Sequence, residues 1–160
     1  MIIYHKALDP YHCYYRFLFY SHSLKVNSVD FDRLRLMDFY YLFPSLLHDF
    51  DKKNSKKKKK KFPEQFENLE LKIQIFFNLL PIQKQALGYL FSDGYYNLNN
   101  YLNSNEIVLE KEIEPEILDL FLKEKIGKET WIELFFKYFK NYELKKIKKL
   151  SKLMDTKNVI

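Results

Sequence analysis

Glycine is almost absent: Gly88, Gly94 and Gly127 are the only three among 160 residues, and each stands alone. No phosphate-cradling loop can be built from them, so nucleotide binding through the usual glycine-rich motifs is excluded. Cysteine is rarer still. Cys13 alone permits no intramolecular disulfide and agrees with a reducing compartment, which makes the cytoplasm the default location. Histidines 5, 12 and 22 lie near it, but there is no C-x-x-C or H-x-x-x-H spacing, and His12 and Cys13 are adjacent and so point apart on a helix. Neither a metal nor a cofactor is expected. Long apolar runs are missing too: the longest, such as residues 39–43, fall far short of a bilayer, and residues 1–10 lack a basic segment followed by an apolar one. Neither export nor membrane insertion is expected.

Acid is missing from two stretches. Residues 52–61 hold eight lysines and no carboxylate, and without those eight the formal charge of +6 becomes −2. Residues 144–153 hold five more, and without them the balance falls to −7. Basicity therefore lives in two local patches rather than across the chain. Arginine is scarce, with only Arg16, Arg33 and Arg35. In so lysine-biased a chain, three retained arginines point to planar, bidentate pairing at those positions.

What is abundant is apolar and aromatic. Hydrophobic residues make up 47% and aromatics 18%, enough to fill a core and to argue against wholesale disorder. The length fits one domain spanning residues 1–160. Prolines mark its helices. Asp9-Pro10 is an N-cap followed by Pro at the first helical position, opening a helix that runs to residue 20 or 22 with Tyr14, Phe17 and Leu18, joined at its start by Tyr11, on its core face. Asp30 or Asp32 caps a second, with Leu34, Met37, Tyr41 and Leu42 on one face, until Pro44 breaks it. Residues 51–63 read as a mobile lysine-rich loop. A third helical stretch, 66–79, stops before Pro81, which opens a fourth ending at Asp93-Gly94. Residues 95–98 and 106–109 flank the polar tip 99–105 and read as a small hairpin. Pro115 starts a helix ended by Gly127, and Glu129 begins a final long one, aromatic to Tyr142 and basic over 143–160. The expected fold is mainly α, a small helical domain with a β-hairpin, and helix followed by hairpin is the outline of a winged helix.

Two strings carry a family resemblance: Tyr4-His5-x-Ala7-x-Asp9-x-Tyr11-His12-Cys13-x-x-Arg16, and Asp32-Arg33-Leu34-Arg35-x-x-Asp38-Phe39-Tyr40-x-Leu42-Phe43-Pro44. A weaker third is Leu80-Pro81-x-Gln83-x-x-Ala86-Leu87-x-x-Leu90. Together they resemble the middle components of bacterial ABC three-component systems, the group that includes the small subunit of Lamassu anti-phage systems. The resemblance covers roughly the first half of the chain. It implies a non-catalytic accessory subunit beside an SMC-like, coiled-coil ABC ATPase and an effector, often a nuclease. The lysine loop and the basic tail lie outside the pattern.

Candidate chemistry is sparse. Cys13 lacks a base and has tyrosine neighbours, which favours a buried, inert thiol. Arg35 and Asp38, three apart, either pair along their helix or, with Arg33, form a polar patch facing a partner. In the final helix Trp131, Ile132, Leu134, Phe135, Phe136, Tyr138, Phe139 and Tyr142 surround the axis too widely for one core-facing stripe. Trp131, Phe135 and Tyr138 are therefore candidate partner anchors, unless helices on both sides bury the run. Beyond Tyr142, Leu144, Ile147, Leu150 and Met154 form an apolar stripe. Lys145, Lys146, Lys148 and Lys149 surround it, either as a solvated face or as cations for phosphate or for an acidic coiled coil. Optional nonspecific DNA contact follows from the second reading. A stand-alone winged-helix DNA-binding regulator is the alternative function, with Gln83, Lys84 and Gln85 the only recognition-helix residues on offer. No convergent set of catalytic side chains is present, so enzyme activity is not expected.

Overall fold

The computed structural model describes residues 6–51 and 69–154. Both the lysine run 52–61 and the end of the basic tail lie outside the described residues. The chain is mainly α, with one short antiparallel strand pair.

Helix α1, Pro10–Leu24, starts where the Asp9-Pro10 signal places it, the Asp9 carboxylate accepting from the Tyr11 amide at 2.8 Å. It runs two residues past His22, to Leu24. Strand β1, Val29–Asp30, leads into α2, Phe31–Leu42, which Asp30 rather than Asp32 caps, through the Asp32 amide at 3.0 Å. Pro44 ends α2 and opens a 3-10 segment, Pro44–Phe50. Then α3, Leu69–Asn78, bends at Leu79 into α4, Leu80–Ser92, because Pro81 supplies no amide hydrogen to continue the ladder. At its end Gly94 takes φ +80°, the left-handed setting that suits glycine.

The hairpin differs in detail from its sequence reading. Its arms do meet: Tyr96 bridges Leu109, Asn97 donates to the Val108 carbonyl at 3.3 Å and Glu110 to the Tyr95 carbonyl at 2.8 Å. The polar tip, however, coils into a helix, α5, Leu98–Ser104, capped by Asn97 through the Asn100 amide. Asparagine caps helices as readily as it turns hairpins, and the capping option wins here. The strand that follows, β2, Glu106–Ile107, pairs antiparallel with β1, Val29 opposite Ile107 and Asp30 opposite Glu106.

Helix α6, Pro115–Lys125, is closed by Gly127 at φ +81°. The final long helix is two. α7, Glu129–Asn141, stops at Tyr142, whose backbone is extended, and α8, Leu144–Ser151, restarts in a new direction. Arg33 supplies a reason: its Nη1 donates to the carbonyls of Phe139 at 2.5 Å and Tyr142 at 2.9 Å, satisfying groups a continuing helix would have used.

The buried side chains form one cluster in which α1, α2, α4 and α7 meet. The aromatic run of α7 lies inside it. Trp131 packs on Tyr41, Phe135 on Tyr20, Phe136 on Phe19, Tyr138 on Phe50 and Phe139 on Tyr40, with centroids 5.4–5.9 Å apart. Elements on several sides of α7 thus bury what one stripe could not. No described helix is long and apolar enough to cross a membrane.

Candidate functional site

The three strings that carry the family resemblance meet at one carboxylate. Asp38, on α2, is fully buried. Arg16 of α1 grips it with both arms of its fork, Nε to Oδ1 at 2.6 Å and Nη2 to Oδ2 at 3.2 Å. Tyr20, one turn on, donates to Oδ1 at 3.0 Å, and Gln83 of α4 donates from Nε2 to Oδ2 at 3.2 Å. The Cys13 thiol lies 3.7 Å from Oδ2. Helical spacing explains the convergence on the α1 side. Positions 13, 16 and 20 lie one turn apart and face the same way.

Gln83 is the second node. It accepts from Arg35 Nε at 3.2 Å and also reaches the Arg35 carbonyl at 3.4 Å, so it bridges Asp38 and Arg35. The direct Arg35–Asp38 pair expected from their spacing does not form. Asp38 takes Arg16 instead, a bidentate geometry that an i,i+3 partner on the same helix cannot match. Arg35 lies over the Phe76 ring at 4.6 Å and points Nη1 at the Met154 sulfur at 3.9 Å. Its Nη2 is buried with no hydrogen-bond partner among the described residues. Burial lowers its pKa against the opposing charge of Asp32.

Electrostatics make this network a structural hub. Burial opposes the charged Arg16 guanidinium, but the adjoining Asp38 carboxylate outweighs it and holds the pKa above the ordinary value. Burial, reinforced by the Asp38 charge, pushes the Cys13 thiol well up, the opposite of what a nucleophile needs. Tyr20 is pushed up for the same two reasons. No group of three or more metal-ligating side chains occurs among the described residues. With each of its oxygens taken by donors, Asp38 is placed to lock α1, α2 and α4 together.

A second cluster forms on another face of α2, at Tyr40. Asp49 accepts from Tyr40 at 2.7 Å and from Lys72 at 2.6 Å, and Lys72 donates again to the Ser151 carbonyl at 2.6 Å. Burial pulls the Lys72 ammonium down while Asp49 holds it up. One lysine thereby ties α3 to both the 3-10 segment and α8.

Of the candidate partner residues, Arg35, Asp38, Trp131, Phe135 and Tyr138 are all buried within the chain. Their reading as outward anchors is corrected accordingly, since the side chains they pack on belong to this chain. Arg33 is half-buried and occupied at the end of α7. Gln83, the first recognition-helix candidate, is fully buried as well. Lys145, Lys146 and Lys149 are exposed, whereas Lys148 pairs with Asp32 at 2.9 Å. Exposed apolar side chains lie elsewhere, among them three on α6 and at its end: Leu120, Leu122 and Ile126 are 48%, 64% and 73% exposed. Sequence reading marked only the ends of this helix, at Pro115 and Gly127, and assigned none of its faces.

The family model for the ABC-three component (ABC-3C) system Middle Component 5 matches residues 2–158. No curated protein and no solved structure matches the chain.

Proposed function

Since the chain belongs to the Middle Component 5 family of ABC-three component systems, we propose that it is the non-catalytic adaptor subunit of a bacterial anti-phage defence complex of the Lamassu kind. It docks on an SMC-like, coiled-coil ABC ATPase in the cytoplasm and helps to control an effector subunit, a nuclease. The buried polar hub of Arg16, Asp38, Tyr20 and Gln83 ties three helices together, which suits a part that transmits contact.

The observation that supports docking is helix α6. Phe121 is the only one of its residues that is fully buried, resting on Phe19 at 5.2 Å, and the helix end is held by Glu124, which accepts from Tyr41 and Lys128 at 2.5 Å each. Leu122 and Ile126, one turn apart, stand outward, rimmed by the exposed Asp119, Lys123 and Lys125. Single exposed leucines are ordinary; an apolar centre with a charged rim on one lightly packed helix has the anatomy of an interface.

Coexpression of this chain with its ATPase followed by size-exclusion chromatography tests the reading. The wild-type pair should co-elute at micromolar concentration. Leu122→Glu with Ile126→Glu should weaken association about 30-fold, the consequence of losing about 2 kcal/mol at an interface centre, with helical content unchanged. Separate elution of the wild-type proteins overturns docking, and co-elution of the double variant at wild-type affinity moves it away from α6.

A further inference from the structure

The described residues that precede and follow 52–68 both reach the surroundings of α8. On one side Asp51, the residue before the lysine run, accepts from Tyr138 at 3.4 Å, and Phe50 packs on Tyr142 at 6.4 Å, just ahead of α8. On the other, the chain returns at Leu69, and Lys72 in the first turn of α3 bonds the carbonyl of Ser151, the last residue of α8. Both attachment points of the connection therefore flank one eight-residue helix.

That helix is fixed from beneath and cationic above. Ile147 and Ser151 are buried, Lys148 is held by Asp32, and Lys145, Lys146, Lys149 and Lys152 are exposed. No carboxylate pairs with Lys145, Lys146 or Lys149 among the described residues. Lysines in the last turn of a helix are favoured by its dipole, but Lys145 and Lys146 stand in the first turn, where positive charge is unfavourable and the one acid at hand is the N-cap, Glu143. The stability of the helix therefore does not explain them.

We propose that the outer face of α8 binds the phosphate backbone of duplex nucleic acid through Lys145, Lys146, Lys149 and Lys152. Protein interfaces are depleted in lysine and enriched in arginine and aromatic side chains, neither of which this face exposes. Tyr142, the nearest ring, is half-buried with the Lys146 ammonium 3.9 Å from its centroid, which leaves no free platform for an unpaired base. Compact, flexible point charges suit phosphates and carry no bidentate base readout, so the contact is independent of sequence. It goes beyond docking, involves a different helix and stands or falls separately.

Fluorescence anisotropy of the full-length chain with a mixed-sequence 30-base-pair DNA, between 50 and 200 mM salt, measures it. Four phosphate contacts contribute about −3.6 to the slope of log affinity against log salt, equivalent to about 100-fold weakening over that range. Replacing Lys145, Lys146, Lys149 and Lys152 together by Gln should remove that part of the slope and leave co-elution with the ATPase and the melting temperature unchanged. Lys148 and Lys72 stay, because they hold the helix. The proposal is overturned if the wild-type chain does not bind at 50 mM salt or if the variant keeps the wild-type slope. It is also overturned if single-stranded DNA of the same length binds as tightly with little salt dependence.

Discussion

Asp38→Asn is the sharpest perturbation of the hub, because it keeps the shape and removes the charge. In the native chain the carboxylate accepts from Arg16 twice, Tyr20 and Gln83, all at 3.2 Å or less. Asparagine offers one acceptor oxygen and turns an amide toward these donors. Arg16, only 11% exposed at its side chain, keeps its charge and loses its counter-ion, and breaking a buried pair in this way costs about 3–5 kcal/mol. A domain has about 5–15 kcal/mol in total, so the variant should stand near the edge of folding. At this chain length about 2–4 °C is lost per kcal/mol, giving a melting temperature lower by about 8–16 °C for the middle of the range. Circular dichroism in urea and on heating reads both. The double variant Arg16→Met with Asp38→Asn should cost less than the two singles summed, by about 1 kcal/mol or more, because the stranded cation is gone. A single-variant loss under about 1 kcal/mol, or strict additivity, would refute the hub.

Arg33→Met removes both carbonyl bonds that end α7 and should cost about 1–2 kcal/mol, read as a lower urea midpoint; an unchanged midpoint would mean that the break at Tyr142 needs no side-chain support. Alkaline titration gives an independent readout. Burial pushes Tyr95 and Tyr138 up to about 12, and it raises Tyr14, Tyr20, Tyr40, Tyr41 and Tyr96 as well. A phenol whose folded pKa exceeds its unfolded value of about 10 contributes stability that is complete below pH 10 and is lost as pH rises toward the folded value. Phenolate absorbance should therefore lag the free-tyrosine curve and then rise together with loss of helicity above about pH 11. Smooth ionisation near pH 10 with helicity intact would show that the rings are open to water.

Much of the fold was legible because its signals are local. Asp9-Pro10, Asp30, Pro44, Gly94, Pro115 and Gly127 act on the residues beside them, and each marks a boundary close to where periodicity placed it. The misreadings share one cause, a partner distant in sequence. α7 ends at Tyr142 with help from Arg33, 109 residues earlier. Residues 99–105 coil, while β2 is taken by β1 at Val29 and Asp30. Arg35 looked like the mate of Asp38 until Arg16 and Gln83, from two other helices, filled that carboxylate.

The candidate site was legible in a narrower sense. Arginine scarcity singled out Arg16, Arg33 and Arg35, and each is engaged inward, but only Arg16 is bidentate, on Asp38; Arg33 uses Nη1 alone at the end of α7 and Arg35 gives Gln83 its Nε. The aromatic run was conspicuous for the same reason, and it too points inward. Conspicuous side chains in a small chain are the ones that hold it together, since a buried fork or ring contributes far more than an exposed one. The two surfaces proposed to meet partners carry neither an exposed fork nor an exposed ring. Leu122 and Ile126 have no signature in the sequence beyond composition, whereas the lysines of α8 stood out as an acid-free stretch around an apolar stripe; in both cases it is the packing of Phe121 beneath one helix and Ile147 beneath the other that leaves their neighbours outside.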